Sequence, residues 1–377
     1  MRISYKMNVA ILGCGRLGTV MALVAAQAGH TVKAYDTNVS HLNNLREKRQ
    51  IFTEPGVNEL LRDVSPEKFI LTSSFEEAIK GVEMAFIFVP TNTVGTTRGY
   101  DHGILGSVLR QINSSSASGV HVVIGSTILP GYIAETGLHL MRDALNRDCT
   151  LSYSPEFIAQ GDIVKGTYFP DIVLIGEYNK EAGECIEKFH HPICKNTPKI
   201  CRMSTASAEI TKLGVNCFIT TKVAFANMIG DIANRTPGAD HKDILHAIGS
   251  DSRIGTRYLG YGFGFGGPCF PRDNRALGYY AESVGVAPII PRATDESNKK
   301  HAEYQAHDIE QSLKGNDVYI TTAAYKENCE VPIIEESQRL KVAEILSRSG
   351  APVMIRDTRE IMNMVENEYG RLFTYDR

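Results

Sequence analysis

The sequence predicts an α/β protein with an α/β lobe at each end of the chain, and three observations carry that prediction. Short β-rich runs alternate with helical stretches through the first half. A long helical stretch without breakers begins near Ser204. A second strand–helix–strand unit follows before the C-terminus. In order, Met7–Leu12 reads as a buried strand, Leu17–Ala28 as a helix, Thr31–Tyr35 as a strand and Val39–Arg49 as a helix. Phe69–Thr72 is a strand and Phe75–Lys80 a helix, and strands continue at Met84–Val89, Val120–Gly125, Thr150–Tyr153 and Ile172–Ile175. This alternation implies a mostly parallel sheet with helices on both faces.

From Ser204 to about Asn234 there is no proline, and Ser204, Thr205 and Ser207 are candidate N-caps. Ile210, Leu213, Cys217, Thr221, Ala224, Met228 and Ile232 fall at helical spacing, and Phe218, Phe225 and Ile229 form a second apolar stripe. Both faces are expected to be buried, a subunit contact being one way to do it. A smaller helical region runs to about Gly285, followed by a loop at Pro288–Pro291 and a helix near His301–Leu313. Then come a strand at Asp317–Ala323, a helix at Glu335–Arg348 and a strand at Pro352–Ile355, after which the lobe ends early. The expected domains are 1–203, 204–300 and 301–377.

With 43% hydrophobic and 22% charged residues, the chain is expected to be globular. A net charge of -3 gives no pull toward nucleic acid or an anionic membrane. The eight cysteines are scattered without a C-x-x-C pair, which argues against a zinc site or disulfide framework, so no metal is expected. The Met1–Met7 segment and the short apolar run after it do not make a signal peptide. No apolar run reaches membrane-spanning length. A reducing cytoplasm is the expected location.

Strand Met7–Leu12 runs into Gly13-Cys14-Gly15-Arg16-Leu17-Gly18 and then a helix. The first glycine permits the tight turn, the second admits a pyrophosphate to the backbone, and the third lets helix and strand pack closely. Asp36, at the end of the second strand, can accept from ribose hydroxyls and would repel a 2′-phosphate, which favours NAD over NADP. Val89, Pro90, Thr91, Ser126 and Thr127 lie at later strand ends, where open sheets bind ligands; ordinary loop capping is the competing reading.

Gly262-Phe263-Gly264-Phe265-Gly266-Gly267-Pro268-Cys269-Phe270-Pro271-Arg272-Asp273 is the most informative stretch. Its glycines make a backbone that can wrap a ligand. Pro271 suits the first turn of a helix, which puts Cys269 just before a helix N-terminus, a place that favours thiolate. A buried structural thiol is the commoner fate of a cysteine, and the other seven are read that way. Lys212 and Asn216, four apart, share a helix face. Lys212 reads equally as a snorkelling side chain or as a donor to an oxyanion.

Together these segments and Ser154-Pro155-Glu156-Phe157 resemble the UDP-glucose/GDP-mannose dehydrogenase family, from about Met7 to Asp357. The resemblance implies two Rossmann-like lobes joined by a long central helix, a homodimer with the substrate site near its interface, and two successive oxidations with NAD. It implies that Cys269 forms a thioester, that Lys212 and Asn216 stabilise the oxyanion, and that Asp273 orients Lys212 and water. Glu156 then assists hydrolysis, and Thr127 positions the water. Phe157, Ile158, Arg253, Tyr258, Leu259, Gly266, Tyr325 and Lys326 match substrate contacts.

Four features depart from the family pattern. Arg272 replaces a lysine, Gln160 replaces a glutamate, Glu335 stands near the place of an arginine that meets the cofactor pyrophosphate, and the C-terminal lobe is shortened. Arg339 and Lys341 are the nearest cations to stand in for that arginine. UDP-glucose is the expected substrate, with GDP-mannose and UDP-N-acetylhexosamine as alternatives. A two-electron β-hydroxyacid dehydrogenase, which needs neither Cys269 nor the glycines around it, is the rival enzyme; a nucleotide-sugar-binding relic is the non-enzymatic one.

Overall fold

The computed structural model describes residues 5–94, 98–313, 317–327 and 331–376, so Met1 and Cys329 lie outside the described residues. In the N-terminal half the strands are β1 (Asn8–Leu12), β2 (Thr31–Tyr35), β3 (Phe69–Thr72), β4 (Met84–Ile87), β5 (His121–Ile124), β6 (Thr150–Tyr153), β7 (Ile172–Glu177) and β8 (Lys199–Ser204). They form one eight-stranded sheet in the order β8-β7-β6-β5-β4-β1-β2-β3. All pairings are parallel except β6 with β7, where Tyr153 faces Gly176. Val9 pairs with Val32 on one side and with Met84 on the other, so the chain order reverses between β1 and β4. The crevice beyond the carboxyl ends of those two strands is where open α/β sheets bind ligands.

Alternation along the strands sends neighbouring side chains to opposite cores. Val9 and Ile11 pack with Phe86, Phe189 and the buried face of helix α1 (Arg16–Gln27). Ala10 and Leu12 pack with Leu105, Leu109 and Ile112 of a helix over Gly103–Ser114. Helices at Val57–Asp63, Gly103–Ser114, Ile163–Tyr168 and Lys180–Ile193 add to those read from the sequence. The expected Val39–Arg49 helix stops at Arg46.

Strand β8 was not expected. It lies at the sheet edge with mixed polar and apolar residues, so neither alternation nor an apolar run marks it. It leads without a loop into α2 (Thr205–Asn234), and Ser204 supplies the cap, its hydroxyl accepting from Ser207 N–H at 3.2 Å.

The described residues divide into two compact units, 5–94 with 100–212, and 98–99 with those from 213 onward, so one boundary falls inside α2. In the second unit are α3 (His241–Ser250), α4 (Phe270–Ser283), α5 (Ile289–Leu313), β9 (Val318–Ile320), α6 (Gln338–Arg348), β10 (Val353–Ile355), α7 (Arg359–Tyr369) and β11 (Thr374–Tyr375). The three strands form a parallel sheet in sequence order, one strand more than the sequence suggested. Pro291, read as part of a loop, instead sits in the first turn of α5, where a missing N–H costs nothing.

The two stripes expected along α2 are redrawn. Leu213, Cys217 and Ala224 are buried, but Ile210, Phe218, Phe225, Met228 and Ile232 are exposed, Phe218 at 68%. By length and composition α2 is apolar enough to cross a membrane, although polar residues such as Glu209, Lys212 and Asp231 break its apolar run. Its buried Glu209, Lys212, Asn216 and Asp231 are those of a helix packed in protein.

Phe86 is fully buried, stacked on Phe88 and tilted against Phe189. Phe86→Ala is expected to destabilise the first unit by about 3–5 kcal/mol, read as a lowered urea midpoint.

Candidate active site

At the end of β1, Gly13 turns with φ +102° and donates its N–H to Tyr35 O at 2.8 Å. A Cβ on Gly18 would lie 1.9 Å from Gly13 O, so only glycine lets α1 start this close to the strand. A Cβ on Gly15 would meet nothing within 4 Å. That open backbone stands at the N-cap of a twelve-residue helix, the kind of place where a helix N-terminus favours a phosphate. Asp36 is locked beside it: Oδ2 accepts from Cys14 N–H and Oδ1 from Asn38 N–H, each at 2.8 Å. Burial, with Asp36 adding to it, pushes the Cys14 thiol far up, so this cysteine is inert.

Leu17 packs against the first-unit core. Arg16 donates to Thr53 O at 2.9 Å with its guanidinium over the Phe52 ring. At the carboxyl end of β5, the Ser126 hydroxyl donates to Val89 O and accepts from Val89 N–H, tying two strand ends together. Thr91 is buried, Pro90 exposed and Thr127 half-buried in this same crevice.

Lys212 is buried, which removes the snorkelling reading. Its ammonium donates to the backbone carbonyl of Glu156 at 2.7 Å and lies 4.6 Å from the centre of the Phe157 ring. Burial pushes the Glu156 carboxyl up to about 7, with the nearby Lys212 charge pulling the other way. A carboxyl poised there can hold or release a proton near neutral pH. Ile158 packs into the first-unit core against Gly166.

In the second unit Cys269 is the N-cap of α4, with Phe270 and Pro271 in the first turn, as the sequence predicts. Asp273 is buried at 1% exposure one turn on, its N–H donating to Cys269 O. Its Oδ2 accepts from Asn216 Nδ2 at 2.7 Å, and Arg272 lies 3.6 Å from its other oxygen. The arginine that replaces the family's lysine is thus placed beside this buried carboxylate. Cys217 is no rival nucleophile: its thiol donates to Asp273 O, and burial pushes it far up.

The glycines before Cys269 were expected to wrap a ligand. The structure fills much of that space with protein. A Cβ on Gly266 would lie 2.3 Å from Glu336 O, and one on Gly267, at φ +80°, would lie 2.4 Å from the Tyr325 ring. Gly267 N–H donates to Glu335 O. Leu259 is buried with Ala226 and Leu245, and Tyr258 is half-exposed at φ +60° with its ring edge-on to Phe270. Arg253 is exposed and folds back onto Asp251 at 2.7 Å. Lys326 is half-buried.

Glu335 lines a cleft of about 910 Å³ with Glu336, Lys341, Glu368 and Tyr369. Both cations read as stand-ins for the missing arginine have other partners. Lys341 pairs with Glu336, which Arg275 also holds, and Arg339 stacks 4.4 Å over the Phe263 ring beside Glu327.

Sequence reasoning missed three buried residues of α2. Glu209 accepts from Gly131 N–H and Ile133 N–H, Asn227 accepts from Gly262 N–H, and Asp231 pairs with His301. Glu209 lies three residues before Lys212 and Asp231 four after Asn227, all on the face of Lys212 and Asn216, and that periodicity was the available signal.

The sheet order, the Gly13–Gly18 turn and Asp36 define a dinucleotide-dependent oxidoreductase. Two models of the UDP-glucose/GDP-mannose dehydrogenase family match, its NAD binding domain over residues 7–194 and its central domain over residues 206–300. The chain belongs to that family and is an NAD-dependent enzyme. It is 29% identical over 361 residues to a UDP-glucose 6-dehydrogenase of Pseudomonas aeruginosa, covering 93% of this chain and 79% of that one. It is 28% identical to a GDP-mannose 6-dehydrogenase of Pseudomonas savastanoi pv. phaseolicola, covering 93% and 81%. A solved UDP-glucose dehydrogenase from Pyrobaculum islandicum superposes with a TM-score of 0.89 at 29% identity, covering 100% of this chain and 87% of that one.

Asp36 is fixed at the end of β2, beside the turn, with each oxygen already accepting one backbone N–H. Activity with NADP is expected to be at least about tenfold below that with NAD, and Asp36→Asn to narrow the gap, read from initial rates with each cofactor.

Proposed function

We propose that this enzyme oxidises the C6 alcohol of a nucleotide sugar to the carboxylate through a thioester on Cys269, with UDP-glucose to UDP-glucuronate as the reaction. The observation that carries it is the pairing of Cys269 at the start of α4 with the buried Asp273–Asn216 contact one turn on. Phe270 after the cysteine and the Arg253-Ile254-Gly255 segment favour UDP-glucose; GDP-mannose and a UDP-N-acetylhexosamine are the alternatives.

Gly13, Gly15, Gly18 and Asp36 would hold NAD, which when bound would supply the hydride acceptor for each of the two oxidations. The chain's own residues do the rest. The Cys269 thiolate adds to the aldehyde carbon, forming a C–S bond while the carbonyl oxygen takes the negative charge. Lys212 and Asn216 stabilise that oxyanion. After the second oxidation the substrate is a thioester. Glu156 takes a proton from a water positioned by Thr127, the water adds to the carbonyl, and the C–S bond breaks to return the thiolate and release the acid. Asp273 orients the donors. Phe157, Ile158, Arg253, Tyr258, Leu259, Gly266, Tyr325 and Lys326 are the proposed substrate contacts.

We also propose a homodimer formed on the exposed face of α2. Phe218, Phe225 and Ile232 recur every seven residues there, the spacing of a helix–helix seam.

The deciding experiment incubates the enzyme with NAD and each nucleotide sugar in turn. Two NADH per UDP-glucose are expected, and none if the substrate assignment is wrong. Cys269→Ala is expected to abolish acid formation while NAD affinity stays within about twofold, because the thiol lies outside the dinucleotide turn; ordinary turnover in that variant overturns the thioester.

Glu156 works as a base only when ionised. With its carboxyl near 7, hydrolysis is expected to fall as pH drops through about 7. Glu156→Gln is expected to remove that limb and leave an acyl adduct on Cys269 visible by mass spectrometry of the denatured protein.

A further inference from the structure

We propose that Asn298 and His301 are positioning residues for Cys269, acting through the glycine segment that precedes it. The proposal rests on the role given to Cys269 above. Asn298, His301 and Gln305 occupy one face of α5 at spacings of three and four residues. Asn298 is buried, and its amide accepts from Phe265 N–H at 2.9 Å and donates to Phe265 O at 3.0 Å. One side chain thereby gives Phe265 both bonds that a neighbouring strand would.

His301 is also buried. Nδ1 lies 2.8 Å from Asp231 Oδ2 and Nε2 lies 2.6 Å from Gly262 O. A backbone carbonyl only accepts, so Nε2 is the donor to Gly262 O. Tyr261 donates to the second Asp231 oxygen at 3.2 Å, and Gln305 adds a bond to Gly262 O at 3.2 Å. Asn227 accepts from Gly262 N–H at 3.0 Å.

The N–H and C=O of both Gly262 and Phe265 are thus held by side chains of α2 and α5. A segment with four glycines in six residues has no strand of its own and has more conformational freedom to lose than any other. From Phe265 only three residues remain before Cys269. Gly266 and Gly267 are packed against Glu336 and Tyr325, and Pro268 has a fixed φ. Position given to Phe265 is therefore passed on to the thiol. Because a misplacement of about 1 Å at a reacting atom costs up to a hundredfold in rate, the clamp belongs to the reaction as well as to the fold.

The test uses the full-length enzyme with NAD and UDP-glucose, and separately the rate at which iodoacetamide alkylates Cys269, followed by mass spectrometry. His301→Gln keeps a donor where Nε2 was and holds Gly262. His301→Asn keeps a donor only on the Asp231 side. Asn298→Asp has the same shape but cannot donate to Phe265 O. His301→Asn and Asn298→Asp are expected to lower kcat about tenfold or more with KM for UDP-glucose within about twofold, and to shift Cys269 alkylation more than about threefold; His301→Gln stays within about threefold of wild type in both. Equal behaviour of the Gln and Asn variants, or a loss confined to KM, overturns the proposal. Should His301→Asn not fold, wild-type kcat and alkylation in Asn298→Asp overturn it alone. If the wild type oxidises no nucleotide sugar, the functional reading fails, while the alkylation order of the variants still decides the clamp.

Discussion

A hydrogen-bonding side chain buried without a partner costs several kcal/mol, and α2 buries six of them on one face. Glu209, Lys212, Asn216, Thr220, Asn227 and Asp231 fall within about 100° of arc at 3.6 residues per turn. Thr220 donates to Cys217 O of α2 itself, and the other five have partners outside the helix. Glu209 holds the 131–133 turn, Lys212 the Glu156 carbonyl, Asn216 the Asp273 carboxylate, and Asn227 and Asp231 the start of the glycine segment directly or through His301. The stripe thus sets where residues of chemical interest stand. Loops rich in glycine and proline have little to hold them otherwise.

The two glycine-rich segments solve opposite problems. In the first, Gly13 and Gly18 are needed because backbone and strand crowd them, while Gly15 is left open to solvent, where a phosphate can approach. In the second, Gly264, Gly266 and Gly267 have protein where a Cβ would stand. The first glycine pattern makes room for a ligand. The second lets an irregular backbone pack as densely as a strand and deliver Cys269 to the start of α4.

The departure at Glu335 changes the electrostatics of its cleft. Where the family pattern has a cation, this chain gathers Glu335, Glu336 and Glu368 around a single lysine that is already paired. Glu336 is held at φ +52° by Arg275 and Lys341, and Arg275 also reaches Asp295 of α5. Arg275 and Lys341 thus serve carboxylates of their own unit.

The sequence by itself determined what depends on a few consecutive residues. Strand β1, the Gly13–Gly18 turn, α1 and Asp36 follow from local spacing, and so does the start of α4 at Cys269, because Pro271 and the preceding glycines fix the local backbone. The alternation of elements settled the α/β class for the same reason. Tertiary structure alone decided the rest. Strand β8 is half-exposed and mixes polar with apolar residues, and only its pairing with β7 makes it a strand. Pro291 could end a helix or begin one, and packing on α4, where Asn274 Nδ2 donates to Pro291 O, decided for the beginning. Lys212 reads equally as a snorkelling or a buried side chain until Glu156 and Phe157 arrive from 56 residues away. Which face of α2 is covered, and which buried polar group finds which loop, are facts about distant partners. Local sequence carries propensity and periodicity, while the desolvation of a polar group is settled only by what the rest of the chain brings to it.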